Sequence, residues 1–498
     1  MTDRPNILIF MTDQEQGDVV APGHPCLTPN ADRLAADGIR FAQTYTPTAH
    51  CCPSRATFMT GLYPSRHGVY NNVCNEAALH TGLYPGVKTF SEQLRAAGYN
   101  CTLCGKWHVS IDEGPADRGW KEREVTAVAG THHGVSIEEW RDGPRTPDDE
   151  ARPRGSVSRP GWGNFEVYRT LPDGGDKGYE SLHDYKVIQA AVDELEQLSQ
   201  QDAPWCLFVG PIGPHDPFNV PRKFVDMYDA SEIDLPASYG DTLEDKPRVV
   251  QRQRRQYWDQ LSEDEVRESI AHYWAYCTLE DALLGEVLDA LDATGQAGDT
   301  LVIFMSDHGD YCGAHGIYLK GVAAFREAYH VPCIVRWPKG IRRPGRVVDE
   351  FVTLADFAPT FLELAGVAPA EDLTGRSLVP FLAGDSPADW PDAFHNQLNG
   401  VELYYSQRVV TTHEFKYVYN GFDFDELYDL RNDPLEMVNV ADDPAYEDVK
   451  HDLVQRMWRF AAQQNDIIFN PYGTVALAPW GPGDALATQE RRRPNALS

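Results

Sequence analysis

The sequence predicts an α/β protein: a large mixed, mostly parallel sheet sandwiched by helices, followed by a small antiparallel sheet plus a helix. Three observations carry that expectation. Short, wholly apolar runs recur through the first three quarters of the chain, the pattern of strands buried on both faces. Segments with helical periodicity alternate with them, the cadence of a parallel sheet with crossover helices. After about Ala383 the texture changes to short alternating segments, as in antiparallel strands with one covered face. Residues 1–385 are therefore expected to form the main α/β domain, and residues 386–498 a smaller α+β subdomain with an extended tail.

Each element follows from local pattern. Asn6–Met11 reads as a buried strand, and Asn30–Asp37 as a helix stopped by Gly38. Thr89–Ala97 is a second helix, closed by Gly98, and Tyr99–Leu103 returns as a strand. His183–Leu198 has helical periodicity and leads into the strand Trp205–Val209. Glu265–Leu291 reads as a long amphipathic helix ending near Gly295, ahead of the strongly apolar strand Thr300–Met305. Two stretches read as inserted loops: Ile111–Lys177, rich in Gly, Pro and Asp, and Leu235–Gln260, polar, with Arg252, Arg254 and Arg255. Val401–Val410, Glu414–Asn420 and Glu426–Leu430 read as antiparallel strands, and Asp448–Asn465 as a helix. The aromatic tail from Asn470 reads as an ordered extension or a subunit contact, and a homo-oligomer is expected.

Composition excludes several classes of function. The 498 residues are 42% hydrophobic and 11% aromatic, enough for a sizeable core. The formal net charge of −31 argues against nucleic-acid binding and against docking on anionic membranes. Any anion site must then be built locally from Lys, Arg, His or metal. No run approaches the ~20 apolar residues of a membrane-spanning helix, and the apolar stretch after Asn6 is too short for a signal peptide, so a cytoplasmic protein is expected. The ten cysteines resemble reduced intracellular usage more than a disulfide framework.

In a parallel sheet, ligands sit beyond the carboxyl ends of the strands, so the polar clusters after the apolar runs are the candidates. Thr12-Asp13-Gln14 offers a carboxylate and an amide oxygen suited to a hard cation; the plain alternative is a loop Asp capping a turn. Ser306-Asp307-His308-Gly309 offers a second carboxylate and an imidazole for the same ion, against an ordinary N-cap. Gly105-Lys106-Trp107-His108 presents Lys106 and His108 to an anion. His215, between Pro214 and Pro217, is a rigidly held candidate acid or anion ligand, the plain alternative being a packing role. His315 and Lys320 lie downstream of Gly309; a lone His is more often a hydrogen-bonded loop residue than a catalyst, and a lone Lys is usually solvated. Cys101 and Cys104 form a C-x-x-C without a second pair at zinc spacing, and are read as core.

The segment His50-Cys51-Cys52-Pro53-Ser54-Arg55, continuing to Met59-Thr60-Gly61, places a thiol before a proline that begins a helix, with Arg55 one turn away. Such a thiol is acidified and reactive, or else it is a buried cysteine beside a capping arginine. The segment resembles the C-x-P-S-R signature of the sulfatase family, within the alkaline phosphatase superfamily. Asn6–Asp13, Thr28–Phe41, Gly105–His108, Pro214–Pro217, Ser306–Gly309, Lys320, Glu426–Leu430 and the run Asp433-Pro434-x-Glu436-x-x-Asn439 resemble its other motifs in order, over residues 5 to 450.

That resemblance implies an alkaline phosphatase-like fold and a sulfuric-ester hydrolase. It implies that Cys51 is oxidised to formylglycine (3-oxoalanine) by a formylglycine-generating maturation enzyme, Cys52 filling the variable place. The hydrated aldehyde would attack the sulfur of a sulfate ester, and deprotonation of its second hydroxyl would then expel sulfate. Asp13, Gln14, Cys51, Asp307 and His308 would hold one divalent metal, Ca²⁺ ahead of Mn²⁺ or Mg²⁺. Arg55 would hold the diol and offset charge. Lys106, His215 and Lys320 would bind the sulfate, His215 or Lys320 would protonate the leaving alkoxide, and His108 would be the closing base. The Asp-Gln and Asp-His pairs, where many members carry Asp-Asp and Asp-Asn, resemble the choline-sulfatase and phosphonate monoester hydrolase relatives. A phosphonate monoester or phosphodiester hydrolase is therefore the rival enzyme, and a non-catalytic binding protein with an unmodified thiol the rival of another class. His132, His133, Tyr273, Trp274 and Asn396 are further candidate substrate contacts, each equally readable as packing or surface.

Overall fold

Two seven-residue strands form the spine of the molecule. In the computed structural model, residues 4–74, 78–126, 152–159, 163–400, 404–470 and 480–482 are described. β1 (Asn6–Thr12) and β6 (Thr300–Ser306) pair in parallel, with Asn6 opposite Thr300 and Thr12 opposite Ser306. Because the register is even to the last residue, the polar segments after both strands emerge side by side. β5 (Trp205–Gly210) pairs with the other side of β1, and β3 (Asn100–Lys106) with β5, again in parallel.

The sheet is completed by β2 (Ile39–Phe41), β4 (Lys121–Thr126), β7 (Cys333–Arg336) and β8 (Arg346–Val348). Its eight strands run β8-β2-β7-β6-β1-β5-β3-β4. Only β7 runs antiparallel to its neighbours, so the expected mixed, mostly parallel sheet is present. Strand period two divides β1 between two apolar layers. Leu8 and Phe10 face one layer with Val187 and Leu283; Ile7, Ile9 and Met11 face the other with Phe58 and Phe361. The same alternation puts Cys104 in the first layer and Cys101 in the second, so that C-x-x-C shares no site and is core.

Helices α1 (Pro29–Ala36), α4 (His183–Leu198) and α6 (Glu263–Ala293) cover one face. Helices α2 (Cys51–Thr60), α3 (Phe90–Ala96) and α7 (Phe357–Leu364) cover the other, with Phe58 edge-on to Phe90 and Phe361. α3 starts at a reciprocal capping box between Thr89 and Glu92. α6 is longer than expected and buried around most of its circumference, Glu280 and Asp281 included. α1, α4 and residues 168–171 and 218–225 pack around it and cover the side that a surface helix would leave to solvent.

Both expected loop insertions contain regular structure. β4 lies inside Ile111–Lys177; its sequence KEREVT is an edge strand whose Lys121 and Arg123 pair with Glu194 of α4. α5 (Arg248–Gln256) lies inside Leu235–Gln260 and buries only Val250. The C-terminal antiparallel sheet runs β9 (Ala393–Leu398), β10 (Gln407–Thr412), β11 (Phe415–Asn420), β12 (Glu426–Asp429). Helix α8 (Glu447–Gln463) packs its Leu453, Val454 and Trp458 on that sheet. His132, His133, the start of Val401–Val410 and most of the tail lie outside the described residues. No helix among the described residues is long and apolar enough to cross a membrane.

Candidate active site

The site forms where the four central strands end. Asp13 follows β1, Asp307 and His308 follow β6, Lys106 closes β3, and His215 lies on the loop after β5. Cys51 is the first residue of α2, and all ten residues of that helix are buried, so it shows no solvent-facing side. One ligand atom from each of Asp13, Cys51, Asp307 and His308 falls within a 4.8 Å cluster. Cys51 Sγ lies 3.1 Å from His308 Nε2 and 3.8 Å from Asp13 Oδ1.

The donor set suits a divalent cation. His308 Nδ1 lies 2.9 Å from the Gly309 carbonyl. A carbonyl only accepts, so Nδ1 carries the proton and the Nε2 lone pair faces the cluster, the tautomer of a metal ligand. Burial lowers the His308 pKa against the pull of Asp307 and keeps the ring neutral. Burial opposes ionisation of Asp13, yet Lys106, His215, Arg55 and His308 hold its carboxyl well below the ordinary carboxylate range. Two carboxylates and a neutral imidazole around one point are hard and borderline donors for such an ion.

Arg55 knits the carboxylates together. Its Nε donates to Asp307 Oδ2 at 2.7 Å, its Nη2 to Asp13 Oδ2 at 3.4 Å, and its Nη1 to the Lys106 carbonyl at 3.1 Å. The guanidinium is thus spent on the carboxylates, with no hydrogen bond to Cys51. Lys106 Nζ donates to Asp13 as well. Burial lowers the Lys106 pKa, but Asp13 more than reverses the effect, so it stays charged.

Lys320 Nζ sits 2.9 Å from His215 Nε2 and donates to Gln14 Oε1. Burial and Lys320 oppose protonation of His215, but Asp216 and Asp13 outweigh them and raise its pKa. With 25% of its side chain exposed, His215 marks the open edge of the site. His108 follows β3 at φ 54° and is buried; burial, then Lys106, hold its pKa well below the ordinary value.

Asp216, Asp310 and His50 escaped the sequence reading. Gln14 takes φ 73°, which turns its amide nitrogen to Asp216 and Asp310. Asp216 also pairs with Lys320 at 3.5 Å. His50, just before α2, is buried with Nδ1 unpartnered among the described residues. Burial, then Lys320, His308 and Lys106, hold its pKa well below the usual value. Asp216 adjoins His215 and Asp310 lies three residues after Asp307, the one hint available from sequence.

Of the candidate contacts, Tyr273 supports the site from below. Its hydroxyl donates to the Gln14 carbonyl and accepts from the Gln16 amide, both at 2.8 Å. Tyr273→Phe is expected to cost about 1–3 kcal/mol of stability and to lower kcat/KM, read by urea unfolding and steady-state kinetics. Trp274 packs on His24, and Asn396 donates to the Thr46 carbonyl at 2.8 Å. Arg254 is engaged with Asp259 and with the Asp241 and His315 carbonyls, while Arg252 and Arg255 are exposed. His315 pairs with Asp241 at 2.7 Å and stacks on Phe325.

A parallel sheet with carboxylates, imidazoles and ammonium groups converging beyond its central strands defines a hydrolase of the alkaline phosphatase-like class. The sulfatase family model matches residues 5–367, and the C-terminal model of N-sulphoglucosamine sulphohydrolase matches residues 313–463. The chain belongs to the sulfatase family and is a sulfuric-ester hydrolase. It is 32% identical to the choline-sulfatase of Rhizobium meliloti over 89% of this chain and 83% of that protein. It is 30% identical to an uncharacterised sulfatase of Escherichia coli over 96% of this chain and 90% of that protein. The crystal structure of the phosphonate monoester hydrolase of Agrobacterium radiobacter superposes with a TM-score of 0.74 at 27% identity, covering 93% of this chain and 96% of that one.

Proposed function

We propose that the protein hydrolyses sulfate monoesters of an aryl, alkyl or sugar alcohol, releasing the alcohol and inorganic sulfate, with residue 51 converted to formylglycine as the nucleophile. One observation carries the reading: the buried Asp13, Cys51, Asp307 and His308 cluster lies beside Lys106, His215 and Lys320. In so acidic a chain, that local group of cations is the feature an anionic ester requires.

Asp13, Gln14, Asp307, His308 and the side chain of residue 51 would hold one divalent ion, Ca²⁺ ahead of Mn²⁺ or Mg²⁺. When bound, the ion supplies Lewis-acid stabilisation of the sulfate oxygens and makes the hydrated aldehyde more acidic. Arg55 pairs with Asp13 and Asp307 and orients both carboxylates. Lys106, Lys320 and His215 bind the sulfate oxygens and stabilise the charge of the transition state. His215 and Lys320, in mutual contact at the open edge, hold the proton passed to the departing alkoxide. His108, neutral by burial, receives the proton whose loss from the second hydroxyl of residue 51 releases sulfate.

All these residues fall in residues 1–385, the catalytic domain of this reading, with residues 386–498 supporting it. The reading includes a formylglycine-generating maturation enzyme as partner and a homo-oligomer. It also places the protein in the cytoplasm, supported by ten buried cysteines outside any disulfide.

The phosphonate monoester or phosphodiester reading is favoured by the Agrobacterium radiobacter structure, since both chemistries transfer a tetrahedral oxyanion. Comparing kcat/KM on para-nitrophenyl sulfate and para-nitrophenyl phenylphosphonate separates them. The sulfate is expected to be the better substrate; a sulfate value far below the phosphonate value reverses the order. Stripping the protein with a chelator is expected to abolish turnover, and adding Ca²⁺, Mn²⁺ or Mg²⁺ singly ranks the ions. Full activity after exhaustive stripping contradicts the metal assignment.

A further inference from the structure

Lys320 sits on the long loop between β6 and β7. Beyond it, three successive carbonyls are each captured by a side chain. Gln407 Nε2 donates to Val322 O at 2.8 Å, the Tyr311 hydroxyl to Ala323 O, and Lys416 Nζ to Ala324 O. Two of the three donors come from the C-terminal sheet: Gln407 opens β10 and Lys416 lies on β11.

Both donors are themselves fixed from behind. Glu436 grips Lys416 with both oxygens at 2.8 Å, and both side chains are buried. Glu436 adopts φ 58° within the Asp433–Asn439 segment. Gln407 donates to Asn420 Oδ1 at 2.9 Å, and Asn420 donates to Glu426 Oε1 at 2.8 Å. A buried ammonium with its carboxylate is a costly way to fill a core. Here its third partner is the backbone four residues after a cation of the site.

We propose that Lys416, held by Glu436, is a positioning residue for Lys320. The C-terminal sheet sets the loop that delivers the Lys320 ammonium to Gln14 and His215, and so couples that sheet to the oxyanion-binding end of the site. The inference rests on the reading of Lys320 as a sulfate ligand.

A double-mutant cycle on the full-length, metal-loaded enzyme with para-nitrophenyl sulfate tests it. Lys320→Ala is expected to lower kcat/KM about 100-fold, and Lys416→Met about 10- to 30-fold. The double variant is expected to be no slower than Lys320→Ala by more than about two-fold, because Lys416 acts only through Lys320. Multiplying losses, or a silent Lys416→Met, overturn the proposal while leaving the functional reading intact. A silent Lys320→Ala removes the sulfate-ligand reading and this inference with it. Melting temperatures and conversion of Cys51 are measured on each variant. If Lys416→Met does not fold, Gln407→Met, which removes only the side-chain contacts of Gln407, enters the same cycle with the same outcomes.

Discussion

Cys51→Ala is expected to abolish sulfate-ester turnover, a loss of about 10⁴-fold or more, in a protein that still folds. The asymmetry follows from where the thiol lies. Its Sγ touches His308 Nε2 and Asp13 Oδ1 and sits at the amino end of a helix buried along its whole length. Removing one sulfur there costs packing of about 1 kcal/mol, but it removes the atom from which the proposed nucleophile is made. Cys52→Ala is the internal control. Cys52 points into the apolar layer and donates to Asn72 Oδ1 at 3.5 Å, so its loss is expected to change kcat/KM by less than about five-fold. Steady-state kinetics and a thermal melt on both variants check the pair. Loss of activity in Cys52→Ala with activity retained in Cys51→Ala would mean that the signature had been aligned one residue out.

Arg55→Met is expected to produce the largest loss of stability, about 3–5 kcal/mol. Arg55 is fully buried and donates to Asp307 and Asp13. Its removal leaves two buried carboxylates facing each other and takes the guanidinium partner from both. The unfolding midpoint in urea reads the loss. The same carboxylates are the proposed metal ligands, which gives a second expectation. A divalent cation binds the folded form, stabilises it by mass action, and should recover part of the Arg55→Met deficit. Equal midpoints for the variant and the parent protein in the presence of chelator would contradict the electrostatic account.

The sequence made the spine of the site legible, because β1 and β6 are continuous apolar runs that each end in a carboxylate. Two such runs in a parallel sheet already place Asp13 and Asp307 on one edge, and the even register does the rest. The signature around Cys51 was legible through resemblance, since spacing alone left a reactive and a structural thiol equally open. Other features had no local signal. β4 is charged because it is an edge strand answered by Glu194, and its period is invisible until α4 is in place. α5 has one buried residue and therefore no apolar stripe to detect. Asp216, Asp310 and His50 acquire meaning only once Gln14 takes its left-handed backbone and Lys320 arrives from a distant loop. The C-terminal motif was visible as a string of residues, while its reach to the Lys320 loop depends on β10 and β11 lying against that loop.

The most direct measurement is mass spectrometry of the tryptic peptide spanning Phe41 to Arg55, taken from active protein produced in a host that carries the maturation enzyme. Replacement of the Cys51 thiol by an aldehyde, in proportion to specific activity across preparations, is the expected result. Fully active protein with an intact thiol at residue 51 would contradict it.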